Sequence, residues 1–351
     1  NDDYDGAITD LEKVEEAAAE AKKLLIRSYR KRAEKKRKAK DYPGAITDLK
    51  KARDLALALD PKDPELKKNI DSDLAVAYLE HGKALFDAKK FAEALTYLND
   101  AIKLSPDTPN AYATRGDCRR ELRDIPGALQ DYRKVIELRE KDREAIAQGE
   151  FVRVLVEIGE IERQLGRENK TEPDKIKQLK AARDTFRDAI GESGAVVPAK
   201  ILARARRGRA GTFVDLADVE AENRKKHLID AIKDYEEARK LLQAKELLKD
   251  DQEVIDELIV AHSKLGSYYR DSVQKAGTPL ETKIKGLNNA LTQFELAEKL
   301  KEEDLGLRQS VIETLVQLGQ AFVQAKSFDE AIKKLEEALD KDPKQRPKWA
   351  G

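Results

Sequence analysis

Eleven of the nineteen residues from Lys22 to Lys40, KKLLIRSYRKRAEKKRKAK, are basic, and Glu34 is the only acidic one among them. Guanidinium and ammonium groups at that density can hold carboxylates or phosphates through charge-assisted hydrogen bonds, so an acidic peptide and a phosphate backbone are both suitable ligands. A structural explanation competes with this one. The preceding residues supply Asp3, Asp5, Asp10, Glu12, Glu15, Glu16 and Glu20, enough negative charge to neutralise the cluster within the protein. A second basic run, Lys200, Arg204, Arg206, Arg207 and Arg209, follows no acidic helix of that kind. Near the end of the chain the uncharged strip Val316, Gln317, Gln320, Val323 and Gln324 suits an extended peptide or a partner helix.

Raw material for catalysis is scarce. His81, His227 and His262 are the only histidines and show no metal-ligand spacing. The helical register puts His81 and His262 on packing faces. Cys118 is the only cysteine, which excludes an intrachain disulfide, and it reads as a small buried hydrophobe. GRAG at 208–211 lacks the frame of a phosphate-cradling loop, and carboxylate pairs such as Glu336 and Glu337 recur on solvated faces. Neither enzymatic activity nor a metal or other cofactor is expected.

The elements that carry these residues follow from composition and periodicity. Charged residues make up 39% and aromatics 5%, the profile of long helices with thin apolar stripes. The 68 basic and 68 acidic residues cancel, so no whole-molecule field draws the chain to nucleic acid or an anionic membrane. No signal peptide or membrane span is legible, and a cytoplasmic location is expected, although a cysteine-poor periplasmic protein has the same composition. Asn1 and the absence of methionine suggest a processed chain or a fragment of a larger one.

Twelve residues recur 38 apart, DYDGAITDLEKV at 3–14 and DYPGAITDLKKA at 41–52. A shift of 34 aligns 78–106 with 112–140, matching Gly82 with Gly116, Ala94 with Ala128, Leu98 with Tyr132 and Ala101 with Val135. Residues such as Ala94, Leu98 and Ala101 are spaced i, i+4, i+7 and share one helical face. The pattern returns at Ala7, Leu11, Val14; Ala45, Leu49, Ala52; Ala231, Tyr235, Ala238; Ala290, Phe294, Ala297; and Ala331, Leu335, Ala338, with a weaker copy at Lys175, Leu179, Ala182. This resembles the tetratricopeptide repeat (TPR) family, whose signature recurs every 34 residues.

The resemblance implies an all-α, right-handed solenoid of about seven antiparallel hairpins, at 19–61, 62–107, 108–142, 143–192, 195–250, 251–304 and 305–344. A lone helix near 4–18 precedes them as half a hairpin, and Trp349 falls where a further repeat would begin. Two halves, 1–192 and 193–351, with a bend at 191–198, are expected. By the same resemblance, Arg27, Arg30, Lys31, Arg37 and Lys38, and the strip Val316, Gln317, Gln320, Val323 and Gln324, line a concave groove. The implied role is a non-enzymatic scaffold binding a protein segment there, with association through an exposed end repeat as a further expectation. A nucleic-acid-binding solenoid using 22–40, or the regulatory arm of a larger enzyme, are the alternatives. Some family members clamp the terminal carboxylate of heat-shock chaperones, but the matching places hold Leu79, Lys83 and Thr114, so that clamp is not expected.

Overall fold

Short cap sequences punctuate the helices. In D-I-P-G at 124–127 the Asp124 carboxylate accepts from the Gly127 N–H at 3.0 Å, and in D-Y-P-G at 41–44 Asp41 accepts from Gly44 at the same distance. Proline within the first turn costs no hydrogen bond, because that N–H has no intrahelical acceptor. The residue before each of these caps ends the preceding helix in the left-handed region: Lys40 at φ 62° and Arg123 at φ 65°. Lys89 and Lys326 do the same at φ 59°. Glycine usually occupies such positions.

The computed structural model describes residues 4–6, 19–59, 64–192, 194, 196–244 and 247–342. Among them are fourteen α-helices, one turn of 3-10 helix at Ala221–Asn223, and no strand. The chain divides into two compact units, Asn1–Val154 and Leu155–Gly351, so the 191–198 loop lies inside the second.

In the first unit the helices are α1 (Ala19–Lys38), α2 (Tyr42–Leu59), α3 (Pro64–Asp87), α4 (Phe91–Leu104), α5 (Pro109–Glu121) and α6 (Ile125–Lys141). Helix α7 (Gln148–Glu168) begins in the first unit and runs into the second. The second continues with α8 (Glu172–Gly191), α9 (Ala199–Val219), α10 (Arg224–Gln243), α11 (Leu248–Ser272), α12 (Leu280–Leu300), α13 (Leu305–Gln324) and α14 (Phe328–Lys341). These pair into the seven expected hairpins. From α1 to α6, and again from α8 to α14, each helix packs on the next in the chain. Of the expected helix 4–18, residues 4–6 are helical and 7–18 lie outside the described residues, as does Trp349.

Close packing within five of the seven hairpins rests on a glycine of the first helix against a large side chain of the second. A methyl group on Gly82 would lie 2.8 Å from Leu98, on Gly116 2.6 Å from the Tyr132 ring, and on Gly319 2.7 Å from Leu335. The flanking small residues are equally shut in: Ala94, Ala101, Ala128, Ala231, Ala238, Ala290 and Ala297 are all buried. One register differs from expectation. In α8 the stripe is Ala182, Phe186 and Ala189, two turns beyond Lys175, Leu179 and Ala182. Phe186 is the side chain that meets Gly159, while Leu179 packs farther along α7 against Gly166.

Candidate binding face on the first helices of the hairpins

The first helices carry every residue singled out above for binding, and in the structure their charges are largely matched from within. In the first unit Arg30 Nε donates to Asp73 at 2.7 Å, and Arg37 forks onto Glu80 with bonds of 2.8 and 2.7 Å. Both acids belong to α3, so these pairs join α1 to the next first helix. Farther along, Arg153 of α7 forks onto Asp117 of α5 at 3.0 and 2.9 Å, and Asp117 also accepts from the Tyr132 hydroxyl at 2.6 Å. Burial alone would lower the Arg153 pKa, but the two carboxylates Glu150 and Asp117 hold it raised.

A second set of pairs lies inside the hairpins. Asp48 is 2% exposed and sits between Arg32, which forks onto it at 2.8 and 2.7 Å, and Lys36 at 2.9 Å. Asp131 is 1% exposed and sits between Arg115 and Arg119 in the same way. An unpaired carboxylate so buried would be strongly destabilising, so each acid requires its two cations. The basic character of 22–40 is therefore in part a packing requirement. Of the acids expected to neutralise it from the preceding segment, only Asp5 has a described side chain, and it pairs with Arg32 at 2.9 Å. The main partners come instead from α2 and α3.

The second basic run is matched in the same manner. Arg204 binds Glu157 at 2.7 Å and also grips Glu160. Arg206 and Arg209 converge on Asp234, which is 4% exposed, and Arg207 forks onto Glu257 at 2.9 Å. GRAG at 208–211 is helical: Gly208 packs on Phe186, and Gly211 leaves room for the Arg163 guanidinium on its way to Asp215, 2.6 Å distant. Lys264 reaches Asp218, and Arg270 reaches Glu313 at 3.4 Å, so neighbouring first helices of the second unit are also bridged.

What this leaves available is narrower than the sequence suggested. Arg27 is exposed and makes no ion pair or hydrogen bond among the described residues. Lys31 and Lys38 share Glu34, at 3.3 and 3.0 Å. Arg27, Arg30, Lys31 and Arg37 all line one open cavity of about 630 Å³, whereas Lys38 lies outside it. A second cavity of about 370 Å³ is lined by Lys83, Phe86, Thr114, Asp117 and Arg153 on α3, α5 and α7. In the uncharged strip of α13, Gln320, Val323 and Gln324 are exposed, while Val316 and Gln317 are half-buried and Val316 packs on the core.

The acidic partners Asp73 and Glu80 escaped the sequence reading. Both stand 43 residues after their arginines, one first helix onward, and that repeated interval was the available signal. The histidines occupy packing faces. His81 lies edge-on to Tyr97, with ring centres 4.3 Å apart, and His262 shares a hydrogen bond with Gln293 at 2.8 Å. Burial lowers the pKa of both. Cys118 is buried, and desolvation pushes its thiol up to about 12. Among the described residues no cluster of His, Cys, Asp and Glu could hold a metal ion, and no helix is long and apolar enough to cross a membrane.

Tetratricopeptide repeat models match residues 79–145 and 313–344, so the chain carries tetratricopeptide repeats in each of its two units. Over 77 residues it is 35% identical to the Hsp70-Hsp90 organizing protein of Triticum aestivum, covering 22% of this chain and 13% of that one. Over 80 residues it is 41% identical to RNA polymerase II-associated protein 3 of Xenopus laevis, covering 22% and 12%. The match thus spans about an eighth of these relatives' own length. Among solved structures it aligns with YrrB, described as a TPR protein with an unusual peptide-binding site, at 14% identity and a TM-score of 0.41 over 74% of this chain and 97% of that one.

Proposed function

We propose that the chain is a non-enzymatic interaction scaffold that holds a segment of another protein against the face formed by its first helices. The observation that carries this reading is the open face of the first unit, where ion pairs tie α1 to α3 and α5 to α7 and leave cavities of about 630 and 370 Å³. A surface whose side chains are already fixed loses little entropy when it binds, so most of the contact energy is retained as affinity. The relatives, an Hsp70-Hsp90 organizing protein and an RNA polymerase II-associated protein, agree with a role in assembly. A chaperone-tail clamp is disfavoured, because Thr114 is buried and its hydroxyl bonds to the carbonyl of Asn110 at 2.9 Å.

Nucleic-acid binding through 22–40 is weakened by the same geometry. Arg30, Arg32, Lys36 and Arg37 already hold carboxylates, and Tyr29, the one aromatic ring in the run, is 2% exposed and cannot stack on a base. The test is to pan a displayed peptide library on the full chain and map each selected peptide by hydrogen exchange. Protection centred on α1, α3, α5 or α13 is expected. The reading fails if no peptide binds saturably while an oligonucleotide binds with an affinity that falls steeply with salt.

A further inference from the structure

The larger cavity combines an apolar floor with a cationic rim. Ile26, Ala33, Leu49 and Leu66 form the floor, and Leu66 is only half-buried. The rim carries Arg27 and Lys31, one turn apart on α1. Arg30 and Arg37 also line it, but Asp73 and Glu80 hold their guanidiniums. The charge left for a ligand is thus local: Arg27 lacks an acidic partner among the described residues, and Lys31 shares one carboxylate with Lys38. The volume of about 630 Å³ falls within the roughly 300–1,000 Å³ of ligand pockets and exceeds what one ordered water or ion would fill.

We infer that this cavity receives an internal acidic peptide segment bearing one bulky apolar side chain. The apolar side chain sits over Ile26, Leu49 and Leu66, and the flanking carboxylates bind Arg27 and Lys31. Charge complementarity selects the acidic flanks. The floor selects the apolar anchor, which a phosphate backbone lacks. Desolvating Arg27 and Lys31 beneath a bound segment strengthens both contacts, since they are only partly screened there. The inference rests on the scaffold reading above and adds the partner's chemistry and the place it binds.

The experiment uses the full chain and fluorescein-labelled heptapeptides, capped at both ends so that no terminal carboxylate contributes. Each has a central Phe, Leu, Trp or Ala between paired acidic residues, and a matching set has lysines in place of the acids. Anisotropy is measured with the wild-type chain and with Arg27→Glu/Lys31→Glu, whose helicity and melting are checked first; both side chains are exposed, so a native fold is expected. Binding of a bulky-centred acidic peptide, weakened about 10-fold or more by central Ala, by the lysine set and by the double variant, supports the inference. The peptide-side comparisons stand even if the variant is unstable.

Equal binding of all acidic peptides, or binding unchanged by the double variant, overturns the inference while leaving the scaffold reading intact. So does failure of every peptide up to about 1 mM, the weak end of specific recognition, when library panning still yields binders elsewhere. A dT12 oligonucleotide that binds in preference to every peptide and is lost in the variant overturns both readings.

Discussion

Asp131→Ala provides a direct test of the buried-ion reasoning. The carboxylate is 1% exposed and accepts from Arg115 at 3.0 and 2.7 Å and from Arg119 at 2.9 Å. Removing one side of a buried pair costs about 3–5 kcal/mol, chiefly because the other charge is left desolvated. Here the two arginine side chains keep 15% and 23% exposure, and Arg115 retains Asn99 at 2.8 Å, so part of their hydration can be regained. The lower end, about 3 kcal/mol, is therefore expected. Glu137→Ala is the control. That residue's side chain is 48% exposed between Lys134 and Lys141, and an exposed pair is worth about 0–1 kcal/mol. Hydrogen exchange resolved by hairpin measures the effect locally, and about 3 kcal/mol corresponds to roughly a hundredfold loss of protection in α5 and α6. A loss below tenfold, or one equal to that of Glu137→Ala, would refute the reasoning. A loss spread evenly over both units would refute the nearest-neighbour picture of stability.

Three further outcomes follow from the same structure. Lys89→Gly removes a side chain from a left-handed position at φ 59°, relieving about 1–2 kcal/mol of steric cost against some added freedom in the unfolded chain. A net gain of up to about 1 kcal/mol in urea denaturation is expected, and a clear loss would contradict it. The Cys118 thiol, raised to about 12, should react with a disulfide reagent at pH 8 far more slowly in the native chain than in urea. Because the unfolded thiol ionises near 9 while the native one does not, stability should also fall as pH rises above about 9; a native rate equal to the unfolded one would count against this burial. His81 and His262 have depressed native pKa values, so the unfolded chain binds more protons below about 6.5 and stability should decline from pH 7 to 5. His81→Gln/His262→Gln should flatten that slope, and an unchanged slope would show that other groups cause it.

Much of the fold is legible in the sequence. The small-large-small spacing i, i+4, i+7 fixes which helical face is buried, and Asp-x-Pro-Gly caps mark where helices begin. The 34-residue shift equates Gly82 with Gly116 and Leu98 with Tyr132, and the structure then sets each glycine against the large side chain of its own hairpin. The α8 register was not legible in this way. The segment TEPDKIKQL extends the start of that helix, and Leu179 with Ala182 imitates the stripe two turns early, so contact with Gly159 rather than local spacing selects Phe186. The availability of charge depended still more on tertiary structure. Sequence places Arg30 and Arg37 on one face with Arg27 and Lys31, because helical periodicity is local. Whether a cation is free for a ligand depends on acids 43 residues away, brought near only when α1 and α3 lie side by side. Ion pairing acts through distance in space, which periodicity along one helix does not encode.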